Sequence, residues 1–526
     1  MADTKREIER KYEATGSTGT DGTDGTDGTD GTEGASGGPG LPDLTRVPGV
    51  ATVLDRGTVD LDATYYDTAD LRLAASARTL RRRTGGDDAG WHLKLPVSAG
   101  VRDEVQEPLS DQVPRALADL VRSRVRDADL VPVIRLRSAR AVRHLVDADG
   151  ALLAEVSVDS VRADRLAGGD GSAEWTEIEV ELAEGGDPGF LDKVEKRLRK
   201  AGVVPAGSAS KLARALAETG TEPRVRTAKP APPVTSGDHV LAYLRTQRDA
   251  LVELDPAVRR DLPDAVHQMR VATRRMRSAL RSYRKVLDRS VTDPVGDELK
   301  WLAGELGVDR DREVLSERLR EAVAELPHTL VDGPVRARLR TWSAARHDGA
   351  RRRLATVLDG RRYLALLDTV DALLADPPLR PAAAKPPKAV LTKAVLREFK
   401  RLTDAVDAAL AAEPGTERDR ALHEARKKAK RTRYAAEAAK PALGKPAKRL
   451  AKRAKKLQSG LGEHQDSVMA RATLRDLAGQ AHAAGERSFT YGLLYGGEER
   501  TAERSEAGLP GWWEATVSEA GKLGRT

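Results

Sequence analysis

From Glu177 to Leu182 the chain alternates without a slip, with Ile178, Val180 and Leu182 on one face of an extended strand and Glu177, Glu179 and Glu181 on the other. A helix would scatter both sets around its circumference, so a period of two constrains the segment to β structure. The pattern recurs. Glu7-Ile8-Glu9-Arg10-Lys11 puts Glu7, Glu9 and Lys11 on one face, and Leu80-Arg81-Arg82-Arg83 sets Arg81 beside Arg83. Trp91-His92-Leu93-Lys94-Leu95 sets Lys94 opposite two leucines, Ile134-Arg135-Leu136-Arg137 groups Arg135 with Arg137, and Val156-Ser157-Val158-Asp159 sets Asp159 opposite two valines. Each could stand alone as a surface strand with its charges in water. The charges come in both signs, however. If the strands close on themselves with apolar faces outward beneath helices, the lumen gathers Lys11, Arg81, Arg83, Lys94, Arg135 and Arg137 against the carboxylates. Enclosed ions are costly unless paired, so such a lumen predicts a polyanion and a metal as its filling. A carboxylate pair is the hard donor set that Mg²⁺ or Mn²⁺ takes, and a lysine beside it can hold an anion that the metal also touches.

Glu-x-Glu-x-Lys at 7 to 11, Tyr65-Tyr66-Asp67-Thr68, Leu80-Arg81-x-Arg83, Trp91-x-Leu93-Lys94, Arg102-x-Glu104, Arg135-x-Arg137, Asp159, Glu177-Ile178-Glu179 and Ser210-Lys211 follow in that order. The series resembles the CYTH domain of the triphosphate tunnel metalloenzymes over nearly all of residues 3 to 218. That resemblance implies an α+β fold, a closed antiparallel β tunnel barrel with flanking helices. It also implies that Glu7, Glu9, Asp159, Glu177 and Glu179 supply metal ligands, for Mg²⁺ or Mn²⁺, and that Lys11, Arg81, Arg83, Lys94, Arg135, Arg137 and Lys211 clamp the phosphates. No residue stands out as a general base. The chain departs from the family at about 16–40, where a Thr-Asp-Gly repeat gives way to Gly-rich sequence. Such composition cannot bury a core and reads as a flexible loop, and its aspartates lack the longer calcium-loop patterns.

Residues 219–236 are proline-rich and poor in apolar side chains, a semi-extended linker that separates a first domain, 1–218, from a second, 237–526. The net charge of +8 is unevenly spread: 30 basic and 39 acidic residues through Glu218, but 56 and 41 from Asp238 onward. The second half, rich in Ala, Leu and Arg, carries apolar residues at steps of three and four, which predicts eight to ten amphipathic helical segments. In one of them His267, Arg270, Arg274, Arg277, Arg281 and Arg284 form a cationic stripe with no acid, beside an apolar stripe of Met269, Ala272, Met276, Leu280, Tyr283 and Leu287. A solvated helix face ordinarily mixes signs, whereas stacked arginine forks suit phosphate oxygens. His423, Arg426, Lys430 and Arg433 repeat the pattern 156 residues later (423 − 267), and Leu306-Gly307-x-x-x-Asp311 is echoed by Leu461-Gly462-x-x-x-Asp466 at 155 (466 − 311). Two marks at nearly one offset predict an all-α domain of duplicated helical bundles related by a pseudo-twofold. The second copy reads Glu463-His464-Gln465 where the first reads Val308-Asp309-Arg310, so the two ends need not bind alike. A further basic run, 445–456, has Ala447, Leu450, Ala454 and Leu457 on its buried side.

These stripes resemble the CHAD domain, a conserved-histidine α-helical domain associated with polyphosphate. The resemblance assigns polyphosphate contacts to His267, Arg270, Arg274, Arg277, His423, Arg426, Lys430, Arg431 and Arg433. Function is therefore expected to be divalent-metal-dependent hydrolysis of a triphosphate, first of all inorganic triphosphate, in a protein that also binds inorganic polyphosphate. The tunnel family also includes thiamine and nucleoside triphosphatases and adenylyl cyclases, and no motif here reads a base or a thiazole ring. The rival from another class is a polyphosphate or nucleic-acid binding protein with an inactive tunnel, which the sequence pI near 9.4 suits. Aromatics at 3% are few for base stacking, and an acidic set at Glu7, Glu9, Glu177 and Glu179 has no use in a pure polyanion binder. Nucleic acid is thus an unfavoured partner. The chain has no cysteine, which excludes disulfides and thiolate chemistry, and no apolar run of membrane-spanning length. With a strand starting at Glu7 there is no room for a signal peptide. The expected place is the cytoplasm, in association with polyphosphate granules.

Overall fold

The computed structural model describes residues 3–14, 41–220, 231–307, 310–344 and 347–525. The Thr-Asp-Gly insertion, residues 221–230 of the linker, and Val308 with Asp309 lie outside the described residues. The chain divides into two compact units, Met1–Lys229 and Pro230–Thr526.

In the first unit, β1 (Asp3–Ala14), β2 (Thr52–Asp67), β3 (Thr79–Thr84), β4 (Gly90–Ser98), β5 (Val101–Glu107), β6 (Val131–Val146), β7 (Leu152–Arg165) and β8 (Ser172–Leu182) pair antiparallel in the order β5-β4-β3-β2-β6-β7-β8-β1. The order closes because β1 also pairs with β5, with Glu7 opposite Arg102 and Lys5 opposite Glu104. This is the closed barrel the alternation predicts. A short strand, β9 (Val203–Pro205), adds to the end of β1.

Alternation decides what covers each wall. Ile178, Val180 and Leu182 face outward and pack with Tyr12 and with Phe190, Leu191, Val194 and Leu198 of helix α2 (Gly189–Lys200). Leu80, Trp91, Leu93 and Leu95 do the same beneath Leu117, Leu120 and Val121 of α1 (Arg115–Val125). A third helix, α3 (Lys211–Glu218), breaks the rule: its Leu212, Ala215 and Leu216 pack on Ile134, Leu136, Val161 and Ala163. Leu136 is directly opposite Ala163, and Arg140 directly opposite Asp159. Cross-strand partners share a face, so the apolar cluster under α3 lies on the same inner wall as Asp159. The helix thus covers one end of that wall. Each leucine it buries contributes on the order of 1.5–3 kcal/mol.

The second unit is all helix. Among the described residues it has ten: α4 (Ser236–Arg259), α5 (Ala265–Ser282), α6 (Arg289–Glu305), α7 (Arg310–Ala324), α8 (Val335–Ala344), α9 (His347–Asp359), α10 (Arg361–Ala375), α11 (Pro387–Ala411), α12 (Thr416–Ala483) and α13 (Phe489–Gly524). Helix α12 is really two, broken at Gly444, whose φ of 63° is costly for any residue with a Cβ, and flanked by Pro441 and Pro446. Met269, Ala272, Met276, Leu280, Tyr283 and Leu287 are all buried, as their spacing predicts, and so are Ala447, Leu450, Ala454 and Leu457. Except for Ala272, Ala447, Ala454 and Leu457, they belong to one core shared by α4, α5, α6, α10, α11 and α12. Smaller cores join α11, α12 and α13 through Leu402, Leu422, Leu457 and Leu509, and α7, α8, α12 and α13 through Leu319, Leu339, Leu474 and Tyr491. Among the described residues no helix is long and apolar enough to cross a membrane.

Candidate functional site

The barrel encloses a cavity of about 470 Å³ lined mostly by charged side chains. Two adjacent strands, β7 with Asp159 and β8 with Glu177 and Glu179, bring these carboxylates together, all buried, each offering an oxygen within 4.8 Å of the others. Lys211, the first residue of α3, reaches all three, its Nζ lying 2.9 Å from Asp159, 2.7 Å from Glu177 and 2.7 Å from Glu179. Ser210 caps that helix by accepting from the Ala213 amide, which fixes where the lysine emerges. Lys11 pairs with Glu179 and stands 3.7 Å from Glu9 and 3.9 Å from Glu177. Burial raises the carboxyls' cost of ionisation, but Lys211 with Arg140 holds Asp159, and Lys211 with Lys11 holds Glu177, below the ordinary carboxylate range. Lys11 itself is pushed down to about 7, because burial and the neighbouring Lys211 and Lys94 outweigh Glu9 and Glu177.

Glu7 and Glu9 line the same cavity one strand away. Glu7 accepts from Lys94 at 2.5 Å, and burial together with the Glu104 carboxylate lifts it to about 7. Glu9 faces Arg102 at 3.3 Å, and although burial opposes ionisation, Lys11, Lys94, Arg102 and Lys211 keep it well below the usual value. Arg81 and Arg83 share this wall. Arg81 lies 3.5 Å from Glu104, and Arg83 pairs with Asp88 while burial, Arg81 and Arg140 push its guanidinium down to about 9.

Of the phosphate clamps expected from the sequence, Lys11, Arg81, Arg83, Lys94 and Lys211 line the lumen. Arg135 and Arg137 do not. Both stand on the outer wall, half exposed, paired with Asp62 at 2.5 Å and with Asp164 respectively. The reason is α3: it makes the inner wall apolar at Ile134 and Leu136, so the alternation there points the arginines out. Arg140, six residues beyond Ile134 and in the same phase, enters the lumen instead and holds Asp159 at 2.8 Å and Glu179 at 2.7 Å. Arg102 and Glu104 belong to the sequence motif, which by itself assigns them no role. Glu104 proves central, 3.1 Å from His92 Nδ1 and 3.8 Å from Lys94.

The donor set fits a divalent cation. Three buried carboxylates from neighbouring strands converge on one point, and the Lys211 ammonium stands there as a surrogate charge. The arginines and Lys94 across the cavity suit phosphate oxygens.

In the helical unit the two stripes meet. Lys430 has Arg274, Arg426, Arg270 and Arg433 as its charged neighbours, and burial with their repulsion pushes its amine down to about 7. Arg270 lies against Gly307 and Arg426 against Gly462, the same contact in each sequence copy. His423 Nδ1 is buried, and burial with Lys427 lowers its pKa. Arg433 also pairs with Glu437 at 3.1 Å. Two expected contacts point elsewhere: the Arg277 Nε donates to the Gly296 carbonyl at 3.0 Å, and Arg431 pairs with the buried Glu398 at 2.9 Å.

The CYTH domain family matches residues 43–216 and the CHAD domain family residues 242–475. Two relatives from Mycobacterium tuberculosis, uncharacterized protein MT2285 of strain CDC 1551 / Oshkosh and uncharacterized protein Rv2226 of strain ATCC 25618 / H37Rv, are each 40% identical over 473 residues, 87% of this chain and 90% of theirs. Among solved structures, PptA from Streptomyces chartreusis is similar at 24% identity with a TM-score of 0.45, covering 53% of this chain and 99% of its own. Matched by both families and by relatives along most of its length, the chain belongs to the CYTH-domain proteins and carries a CHAD domain in the same polypeptide.

Proposed function

We propose that the barrel hydrolyses a triphosphate, with inorganic triphosphate the first candidate, and that the helical unit binds inorganic polyphosphate. The observation that carries the first part is the convergence of Asp159 and Glu177 on Glu179, which lines the same lumen as Arg81, Arg83 and Lys94. Asp159, Glu177 and Glu179, with Glu7 and Glu9 beside them, would hold Mg²⁺ or Mn²⁺, which when bound supplies neutralisation of phosphoryl oxygen charge. Arg81, Arg83 and Lys94 bind and orient the phosphate chain. Arg140 pairs with Asp159 and Glu179 and aims them, and Lys211 does the same for the whole triad. Phosphoryl transfer is catalysed mainly by such positioning and charge compensation. Tyr65 is the single aromatic among the lining residues, which favours a substrate without a ring to stack.

For the helical unit the supporting observation is the crowding of Arg270, Arg274, Arg426 and Arg433 around Lys430, a concentration of positive charge that a flexible polyanion would neutralise. The cytoplasm and its polyphosphate granules are the proposed setting.

The test is phosphate release by the purified protein with Mg²⁺ or Mn²⁺ from inorganic triphosphate, ATP and thiamine triphosphate, with cyclic AMP measured in parallel. Preferred release from inorganic triphosphate is expected. No phosphate from any of them ends the hydrolase proposal. Polyphosphate and DNA of equal charge concentration, competed at physiological salt, test the second part: equal affinity for both, unchanged by joint Arg270→Glu and Arg426→Glu substitution, would defeat it.

A further inference from the structure

The α5 stripe continues past Arg274 into a second gathering of arginines. Around Arg431 the charged groups are Glu398, Arg281, Arg401 and Arg277, and around Arg397 they are Arg284, Glu398 and Arg401. A single buried carboxylate serves this cluster: Glu398, 1% exposed, takes Arg401 at 2.6 Å and Arg431 at 2.9 Å. Its one negative charge is shared by those two cations. Among the described residues Arg281, Arg284 and Arg397 have no carboxylate partner. Arg397 donates one nitrogen to the Ser282 carbonyl, while its Nε is buried without a hydrogen bond. Over these residues lies a groove of about 1030 Å³ along α11, lined by Arg284, Lys393, Arg397 and Arg401 and floored in part by Leu396. Its single acid, Asp404, is paired with Lys400 at 3.0 Å. Half-buried cations in such excess call for an anion.

Resting on the proposal that the helical unit binds polyphosphate, we infer that the groove of Arg284, Arg397 and Arg401 is a second anion station, which receives the continuation of a phosphoanhydride chain held at Arg270, Arg274 and Lys430. Arg277 and Arg281 belong to the same helical stripe as the first station and to the neighbourhood of the second, so the positive track is continuous. At 1.5 Å per residue, Arg270 and Arg281 are roughly 16 Å apart along α5. A chain shorter than that reaches one station, and a longer one engages both. The stations therefore discriminate by length. No aromatic side chain lines the groove, which leaves a nucleic acid nothing to stack on.

The experiment measures affinity of the full chain, with chelator present, for polyphosphate shorter than this span and for polyphosphate several times longer. Wild type is compared with Arg284→Glu/Arg397→Glu, and with Arg284→Glu/Lys393→Glu, which leaves the Ser282 contact intact in case the first variant misfolds. Any binding in the barrel is common to all proteins and cancels. Long-chain affinity is expected to fall at least tenfold, with a shallower dependence on salt, while short-chain affinity stays within twofold. A folded variant whose long-to-short ratio equals that of wild type overturns the second station and leaves the first standing. Equal loss of long polyphosphate and duplex DNA also overturns it, because the groove would then be a general polyanion surface. A wild-type protein that binds polyphosphate of neither length instead defeats the reading on which the inference rests.

Discussion

The guanidinium of Arg270 lies so close over Gly307 that a Cβ built on that glycine would stand 2.6 Å from its nearest nitrogen. In the second copy the equivalent contact, Arg426 over Gly462, leaves 3.4 Å. Each glycine is a seat for an arginine, and the first seat is the tighter.

Gly307→Ala should therefore displace Arg270 with little effect on folding, because the atoms in the way are the far end of a flexible side chain. Polyphosphate affinity is expected to drop about threefold to tenfold, roughly the worth of one loosened charge-assisted contact, while Tm hardly moves. Gly462→Ala should do less. Titration calorimetry on the two variants side by side checks the order, and a larger effect at Gly462 would contradict the geometry.

The proposed polyphosphate binding should depend on pH through Lys430. Its amine, at about 7 in the free protein, is neutral at pH 8.5, and a polyanion laid beside it would restore the proton. Affinity should fall as pH rises from about 7 to 9, by up to about tenfold per unit for one coupled proton, and level off below about 6. Binding heats at pH 8.5 should vary with the ionisation enthalpy of the buffer. Lys430→Arg should bind without this dependence. Stability follows the opposite sense: the folded value lies below the unfolded one, so the charged amine costs stability below pH 7, and the cost lifts as pH rises towards the ordinary lysine value.

Removing the surrogate charge tests the candidate metal site. Lys211→Met leaves Asp159, Glu177 and Glu179 buried without their shared cation, which should cost about 3 kcal/mol in the presence of chelator. Mn²⁺ should then raise the variant's Tm by more than it raises that of wild type. An equal or smaller shift would mean that the triad does not take a divalent ion.

Arg140 and the pair Arg135/Arg137 separate the two walls of the barrel. Arg140→Ala should lower kcat/KM for triphosphate about tenfold to a hundredfold, the equivalent of one or two lost charge-assisted hydrogen bonds. Arg135→Ala and Arg137→Ala remove half-exposed pairs with Asp62 and Asp164 and should leave kcat/KM within twofold.

That contrast also measures what the sequence discloses. A period of two assigns residues to two faces but does not say which face is inside. At Glu177 and Glu179 the apolar partners Ile178 and Val180 do face out under α2, and the inference holds. At Arg135 and Arg137 the apolar partners face in, because α3, from some 75 residues later, covers the inner wall there. No local pattern carries that information, although once Ile134 is known to point inward Arg140 follows by phase. In the helices the stripes and their buried companions could be read from spacing alone. The neutralisation of Arg431 by Glu398 could not, since the two are on different helices and a buried glutamate looks in sequence like any other.

The closure of the barrel through β1 bears on how the chain is made. This strand leaves the ribosome first, yet its partners β5 and β8 end at Glu107 and Leu182. At 5–20 residues per second β1 waits roughly ten to thirty seconds after its own synthesis before β8 is available. Until β5 and then β8 are available, part of it is an unpaired edge, the form most open to mispairing. Its alternating Glu7, Glu9 and Lys11 make it a poor template for neighbouring apolar strands, so residues that later line the lumen also guard the nascent chain. Assembly of the site and completion of the fold are then a single late event, and a ribosome-bound chain cut before β8 should lack both.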